Sequence, residues 1–142
     1  QGNAALKDLA ADVQKAANTL AEMAMYFAGS AKAGKFLIPV GNAYPFLMLM
    51  GKVVMAWLLL WEAGVAREKL EGIASGQGID LSDGAKVSAL AKADADAAFY
   101  IGKVSAARYF IKHVLPEVDA AVTSIKSEDL SMIDLPEEAF AS

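Results

Sequence analysis

A chain of 142 residues with no cysteine, one histidine and a net charge of −4 excludes several chemistries at once. It holds no disulfide scaffold and no thiolate metal site, one imidazole cannot build a multi-histidine zinc or iron centre, and an acidic balance is not the basic footprint of a nucleic-acid binder. The length suits a single domain, residues 1–142, but the 56% hydrophobic content exceeds the roughly 45–50% usual for soluble domains. Such an excess belongs to a membrane protein, or to a small domain with more apolar surface than its own core can use.

The first segment reads as a helix. Leu6, Leu9, Val13, Ala16, Leu20, Met23 and Phe27 recur at spacings of three and four, the stripe of a helix packed in a bundle. Asn3 is the expected N-cap and Gly29-Ser30 the expected stop, while Lys7, Asp8, Asp12, Lys15 and Glu22 fall off the stripe toward water. The opening QGNAALKDLAADVQKA is polar and amphipathic, unlike a signal or transit peptide. Residues 29–45, GSAKAGKFLIPVGNAYP, contain three glycines and two prolines and break the helix. Phe36 to Val40 are too apolar for a free loop and should lie against an apolar surface.

The second helix starts near Tyr44-Pro45, since proline is tolerated in a first turn, and runs to about Gly72. No polar residue occurs between Val53 and Trp61. The 19-residue window 43–61 would nearly span a bilayer, but Lys52 at its middle costs roughly 2.5–3.5 kcal/mol there. The charges that follow, Glu62, Arg67, Glu68, Lys69 and Glu71, are of mixed sign. The expectation is therefore no membrane insertion, but a helix buried all round by its own bundle and by a neighbouring domain or subunit.

After a turn-rich loop at 72–84, Ser82 or Asp83 caps a long third helix with a seam of Val87, Leu90, Ala97, Ile101, Val104, Ile111 and Leu115. Asp94 and Arg108 interrupt that seam about 21 Å apart, too far to pair with each other. Arg108 is expected to meet a carboxylate on another helix, Glu62 or Glu22, and Asp94 to pair near Lys92 or reach solvent. Pro116 predicts a kink near Lys112–Leu115, with helix resuming on Val118, Val122 and Ile125 and a short turn at Pro136–Phe140. The fold class is all-α, an up-and-down bundle of three to four helices with the last long one kinked at Pro116.

No constellation carries chemistry. Tyr109, His113 and Glu117 would share a face at i, i+4, i+8 on a straight helix, but the proline bend intervenes, and a histidine near a helix end is favoured by the dipole alone. Asp94 and Asp96 point to different sides. Glu68 and Glu71 sit among Arg67 and Lys69 as a solvated surface. The GQG at 76–78 lacks the strand and the Lys-Ser/Thr of a phosphate loop. Met23, Met25, Met48, Met50 and Met55 read as core filling. No catalytic, cofactor-binding or metal-binding residue is assigned.

The stretch from Asp96 to Glu117, DAAFYIGKVSAARYFIKHVLPE, resembles the last long helix of the larger bacterial acyl-CoA dehydrogenases, which carry an additional helical domain after the dehydrogenase body. The proline-started AYPFLMLMGKVVMAWLLL and the tail LPEEAF are similar to that group in turn. The resemblance implies a bacterial, cytoplasmic parent that binds FAD, oxidises an acyl-CoA to the 2-enoyl-CoA and forms a homo-oligomer. It places the base and the flavin in the upstream body, the partner of this domain in the same chain, and leaves this piece without FAD and inactive alone. The domain then has a structural part, packing on the body or on another subunit; the alternative is an independent helical protein-interaction module without catalytic activity.

Overall fold

The computed structural model describes residues 2–131 and 133–140, with side chains from Leu6 onward. Helix α1, Gly2–Lys32, uses the expected stripe: Leu9, Val13, Ala16 and Met23 are buried. Asn3 falls inside this helix rather than capping it, and its side chain lies outside the described residues. The stop expected at Gly29-Ser30 lies farther on, because Ser30 faces inward and the helix continues over it. Gly34 ends it in the left-handed region at φ 81°, with Lys35 N–H donating to the Ser30 carbonyl at 2.9 Å and Gly34 N–H to Ala31 at 3.0 Å.

A single turn, α2 (Leu37–Gly41), occupies the connector. It covers only Ile38, while Phe36, Leu37 and Val40 remain exposed, so the connector lies half on the bundle and half on nothing. Buried Asn42 closes the turn, its Nδ2 donating to the Ile38 carbonyl at 3.0 Å. Helix α3, Ala43–Gly76, begins with Pro45 in its first turn and overruns the expected loop at Gly72. Its stop is Gly78 (φ 66°), with Ile79 N–H donating to Ala74 at 2.9 Å. GQG is thus a helix terminus.

Asp83 caps α4 (Gly84–Ala93), accepting from the N–H groups of Ala85 and Lys86. The single long helix expected next is two helices. Asp94 takes an extended backbone, φ −135° and ψ 114°, and its Oδ1 accepts from Ala97 N–H at 2.9 Å to start α5, Ala95–Tyr109. The polar residue in the seam is a cap. The kink is where Pro116 requires it: from Phe110 to Val114 the coil widens, and Leu115 N–H reaches five residues back to Phe110 at 2.9 Å. Helix α6, Glu117–Lys126, follows, and a short 3₁₀ turn closes at Glu137–Phe140.

Helix α3 is the axis of an all-helical bundle. One core joins Leu9, Val13 and Met23 of α1 to Leu49 and Val53 of α3 and to Ile111, Leu115, Val118 and Ile125. A second, at the far end, joins Leu70 and Ala74 to Leu90 and Ala97, sealed by Ile79 and Tyr100. Along the same side of α3, Ala56, Ala63 and Ala66 keep the helix narrow, so α5 closes on it with its own Ala97 and Ala107.

Candidate functional site

The expected helix buried all round has only one side covered. By length and composition α3 could cross a bilayer, with mean hydropathy 1.7 in its most apolar window, yet only 17% of that window is buried inside the fold. Opposite the alanine seam stand Leu47, Met50, Val54, Trp57, Leu58 and Trp61, all exposed, with Trp61 at 67%. Met25, Met48, Met50 and Met55 are therefore not core filling, whereas Met23 is buried. The excess apolar content sits here.

Lys52 does not interrupt this surface. Its side chain turns toward the bundle and pairs with Glu117 Oε2 at 2.6 Å, so the window's one charge is met from within the domain. Between α3 and α5 runs a groove of about 570 Å³ lined by Met55, Leu58, Trp61, Val65 and Phe99. Its one cation and one anion, Lys103 and Glu62, hold each other at 2.7 Å, and the Lys103 ammonium lies 5.2 Å from the centre of the Phe99 ring. A smaller groove of about 330 Å³ lies on the other flank, against Val13, Gln14 and Ala17 of α1.

The acid/base array is not assembled. Tyr109 and His113 stack with ring centres 5.0 Å apart and both face solvent, while Glu117, beyond the kink, has gone to Lys52. Arg108 is exposed and meets neither expected carboxylate: Glu62 is taken by Lys103, and Glu22 faces solvent. Glu71 pairs along its own helix with Arg67 at 2.7 Å. Asp12 and Lys112 pair at 2.6 Å at a groove of about 250 Å³ that also takes in Lys15 and Asp119, themselves 3.7 Å apart. Among the described residues no three carboxylate or imidazole groups could hold a metal ion.

One polar cluster has no counterpart in the sequence reading. Glu128 receives Tyr26 Oη at 2.9 Å and Lys35 Nζ at 2.7 Å, from a left-handed backbone at φ 53°. The Lys35 hydrogen bond, then that of Tyr26, holds the Glu128 carboxyl below its ordinary range, and Lys35 is raised by the same contact. Desolvation first and Glu128 second raise Tyr26. The cluster ties the end of α6 to the end of α1. A glutamate in a loop gives no periodic signal, so only the folded chain reveals it.

The described residues form a helical domain with one long apolar face left without a cover. The comparisons agree, and the chain belongs to the acetyl-CoA dehydrogenase C-terminal-like family, whose model matches residues 1–136. Over 98% of its length it is 30% identical to the broad-specificity linear acyl-CoA dehydrogenase FadE5 of Mycobacterium tuberculosis, of which the match covers 21%. A stretch of 55 residues, 39% of the chain, is 42% identical to a butyryl-CoA dehydrogenase of Syntrophomonas wolfei, covering 9% of that protein. The chain thus spans about a fifth or less of the length of these relatives.

Proposed function

We propose that this chain is the accessory C-terminal helical domain of an FAD-dependent acyl-CoA dehydrogenase, a cytoplasmic homo-oligomer whose parent chain converts acyl-CoA to 2-enoyl-CoA. The domain packs on the dehydrogenase body or on another subunit and performs no step of the reaction. The observation that carries this reading is the bare side of α3, in a chain whose full-length match accounts for 21% of a dehydrogenase. Tryptophan, leucine and methionine left in water along one helix are the signature of a surface that has lost its neighbour.

The chemistry of the groove supports assigning the flavin to the body. A dinucleotide needs unengaged cations or backbone amides for its pyrophosphate, and a cleft with convergent polar groups for its rings. The α3–α5 groove offers one lysine, already held by Glu62. These residues do not fit FAD, and α-proton abstraction with hydride transfer to flavin belongs to the rest of the parent.

The test is spectroscopic. Purified residues 1–142 should show no flavin absorbance and no acyl-CoA oxidation, while the complete gene product should show both. Flavin bound to residues 1–142 would overturn the division of labour, and a complete gene product without flavin would overturn the dehydrogenase reading. Solubility without detergent is expected of both proteins.

A further inference from the structure

The bare side of α3 has a spacing of its own. Leu47, Gly51, Val54, Leu58, Trp61 and Val65 follow one another at four, three, four, three and four, the rhythm of a coiled-coil seam, and every one is exposed. It lies opposite the buried seam of Leu49, Val53, Ala56, Ala63 and Leu70, so α3 carries two seams back to back. The second runs for about 27 Å and ends where Glu68 and Lys69 restore polarity. Spacings of three and four are what one face of any helix shows, so they set these side chains on a single continuous ridge of α3.

Gly51 is the second observation. It stands mid-helix in the exposed seam, and a Cβ there would meet nothing within 4 Å. Glycine in a helix interior lowers stability relative to alanine. Gly64 on the same helix is equally open, but Gly51 alone falls within the exposed seam, where it leaves room for an incoming backbone to come close. The flanking grooves supply the rest, since ridges of an incoming helix seat in grooves beside the ridge they cross.

Resting on the reading above, we propose that this second seam receives an amphipathic helix of the dehydrogenase body of the same polypeptide, laid along Leu47–Val65 with its closest approach at Gly51. The chain matches 21% of the relative it aligns with along its length, so the parent polypeptide supplies the occupant, and covalent linkage supplies an effective concentration of order millimolar. The exposed apolar side chains of α3 with Phe99 offer on the order of 1,000 Å², above the roughly 800 Å² per side of a standard interface and apolar in the manner of a permanent one. A second copy of this chain and a lipid surface are the competing occupants.

Gly51→Leu tests it by a reversal of sign. In residues 1–142 alone the substitution fills open space and should raise the melting temperature by about 2 °C or leave it unchanged. In the complete gene product it should undock the domain, so that limited proteolysis releases a fragment of about 15 kDa at least tenfold faster than from the unsubstituted protein. Leu58→Glu, on the same seam, should do likewise while the isolated chain still unfolds cooperatively. Unchanged proteolysis in both variants overturns the proposal. So does a dimer of residues 1–142 that Leu58→Glu dissolves and that persists through this seam in the complete protein, or binding of residues 1–142 to phosphatidylcholine vesicles through Trp61. Flavin content of the complete protein is read separately: its absence sinks the dehydrogenase reading, whereas a flavin-loaded protein with unaltered proteolysis sinks only the docking.

Discussion

The two sides of α3 use similar residue types to opposite ends. On one, Leu49, Val53, Ala56, Ala63 and Leu70 are all at or below 5% exposure, pressed by α1, α5 and α6. On the other, Leu47, Leu58 and Trp61 stand in water. What separates the sides is size. The inward seam contains alanines where α5 must come close, and the outward side carries tryptophan and methionine, whose bulk no element of this domain accommodates. Alanines mark where α5 has already closed on α3; in the open seam tryptophan and leucine stand out, with Gly51 the one small position among them.

Two leucines two positions apart test this most severely. Leu49→Ala removes a side chain at 1% exposure in the larger core and should cost the isolated chain about 2–5 kcal/mol in denaturant unfolding. Leu47→Ala, on the bare side, should stay within about 0.5 kcal/mol. Equal costs would mean that the two sides are not distinct. Enlargement gives the converse pair. Ala63→Leu forces α5 away from a fully buried alanine and should cost about 1–3 kcal/mol, whereas Val65→Leu should be close to neutral in the same measurement. A stable, cooperatively unfolding Ala63→Leu variant would show that the seam is loosely packed.

The stripe of α1, the seam of Leu90, Ala97, Ile111 and Leu115 and the proline kink follow from periods and from a missing amide, which are local facts. Helix α3 instead reads as buried all round, because an unbroken apolar run has no period to say which side faces in. Helix ends are less legible. Gly29 and Gly72 look like stops, yet the chain stops at Gly34 and Gly78, because a glycine ends a helix only where the following residue can seal it; Ile79 does so by entering the second core. Asp94 reads as a polar break in a seam, because spacing alone cannot distinguish a buried charge from a cap. The bare side was legible only as an excess of hydrophobic residues. Its orientation depends on which side α1 and α5 choose, and that choice is tertiary.

Lys52 lies between the two sides, so its pairing tests whether α3 is anchored to α6 or only rests against it. The Lys52 side chain is 23% exposed and Glu117 58%, an intermediate setting in which an ion pair contributes about 0.5–1 kcal/mol. Glu117→Gln should lower stability by that amount, with the difference shrinking in 1 M salt as screening weakens the pair. A difference indifferent to salt would assign the effect to packing of the α6 terminus instead.

The smallest expected effect lies away from α3, and it checks that the comparison is not a general softness of the domain. Three helices end on a left-handed residue: Gly34, Gly78 and Glu128. At Glu128 the strained backbone is offset by the hydrogen bonds from Tyr26 and Lys35. Because the folded carboxyl is held below its ordinary range, its stabilisation is complete above the unfolded value, about 4.3, and disappears as pH falls through the folded one. Lys35, raised by the same contact, extends the window upward to the ordinary lysine range near 10.4. Glu128→Gln should therefore melt about 2 °C below the unsubstituted chain at pH 7, and the gap should close as pH falls through the folded carboxyl's lowered range. Glu128→Gly removes the contacts but also the strain, so it should melt above Glu128→Ala at every pH. If alanine and glycine melt together, the left-handed backbone stores nothing, and the cluster holds the two helix ends by its hydrogen bonds alone.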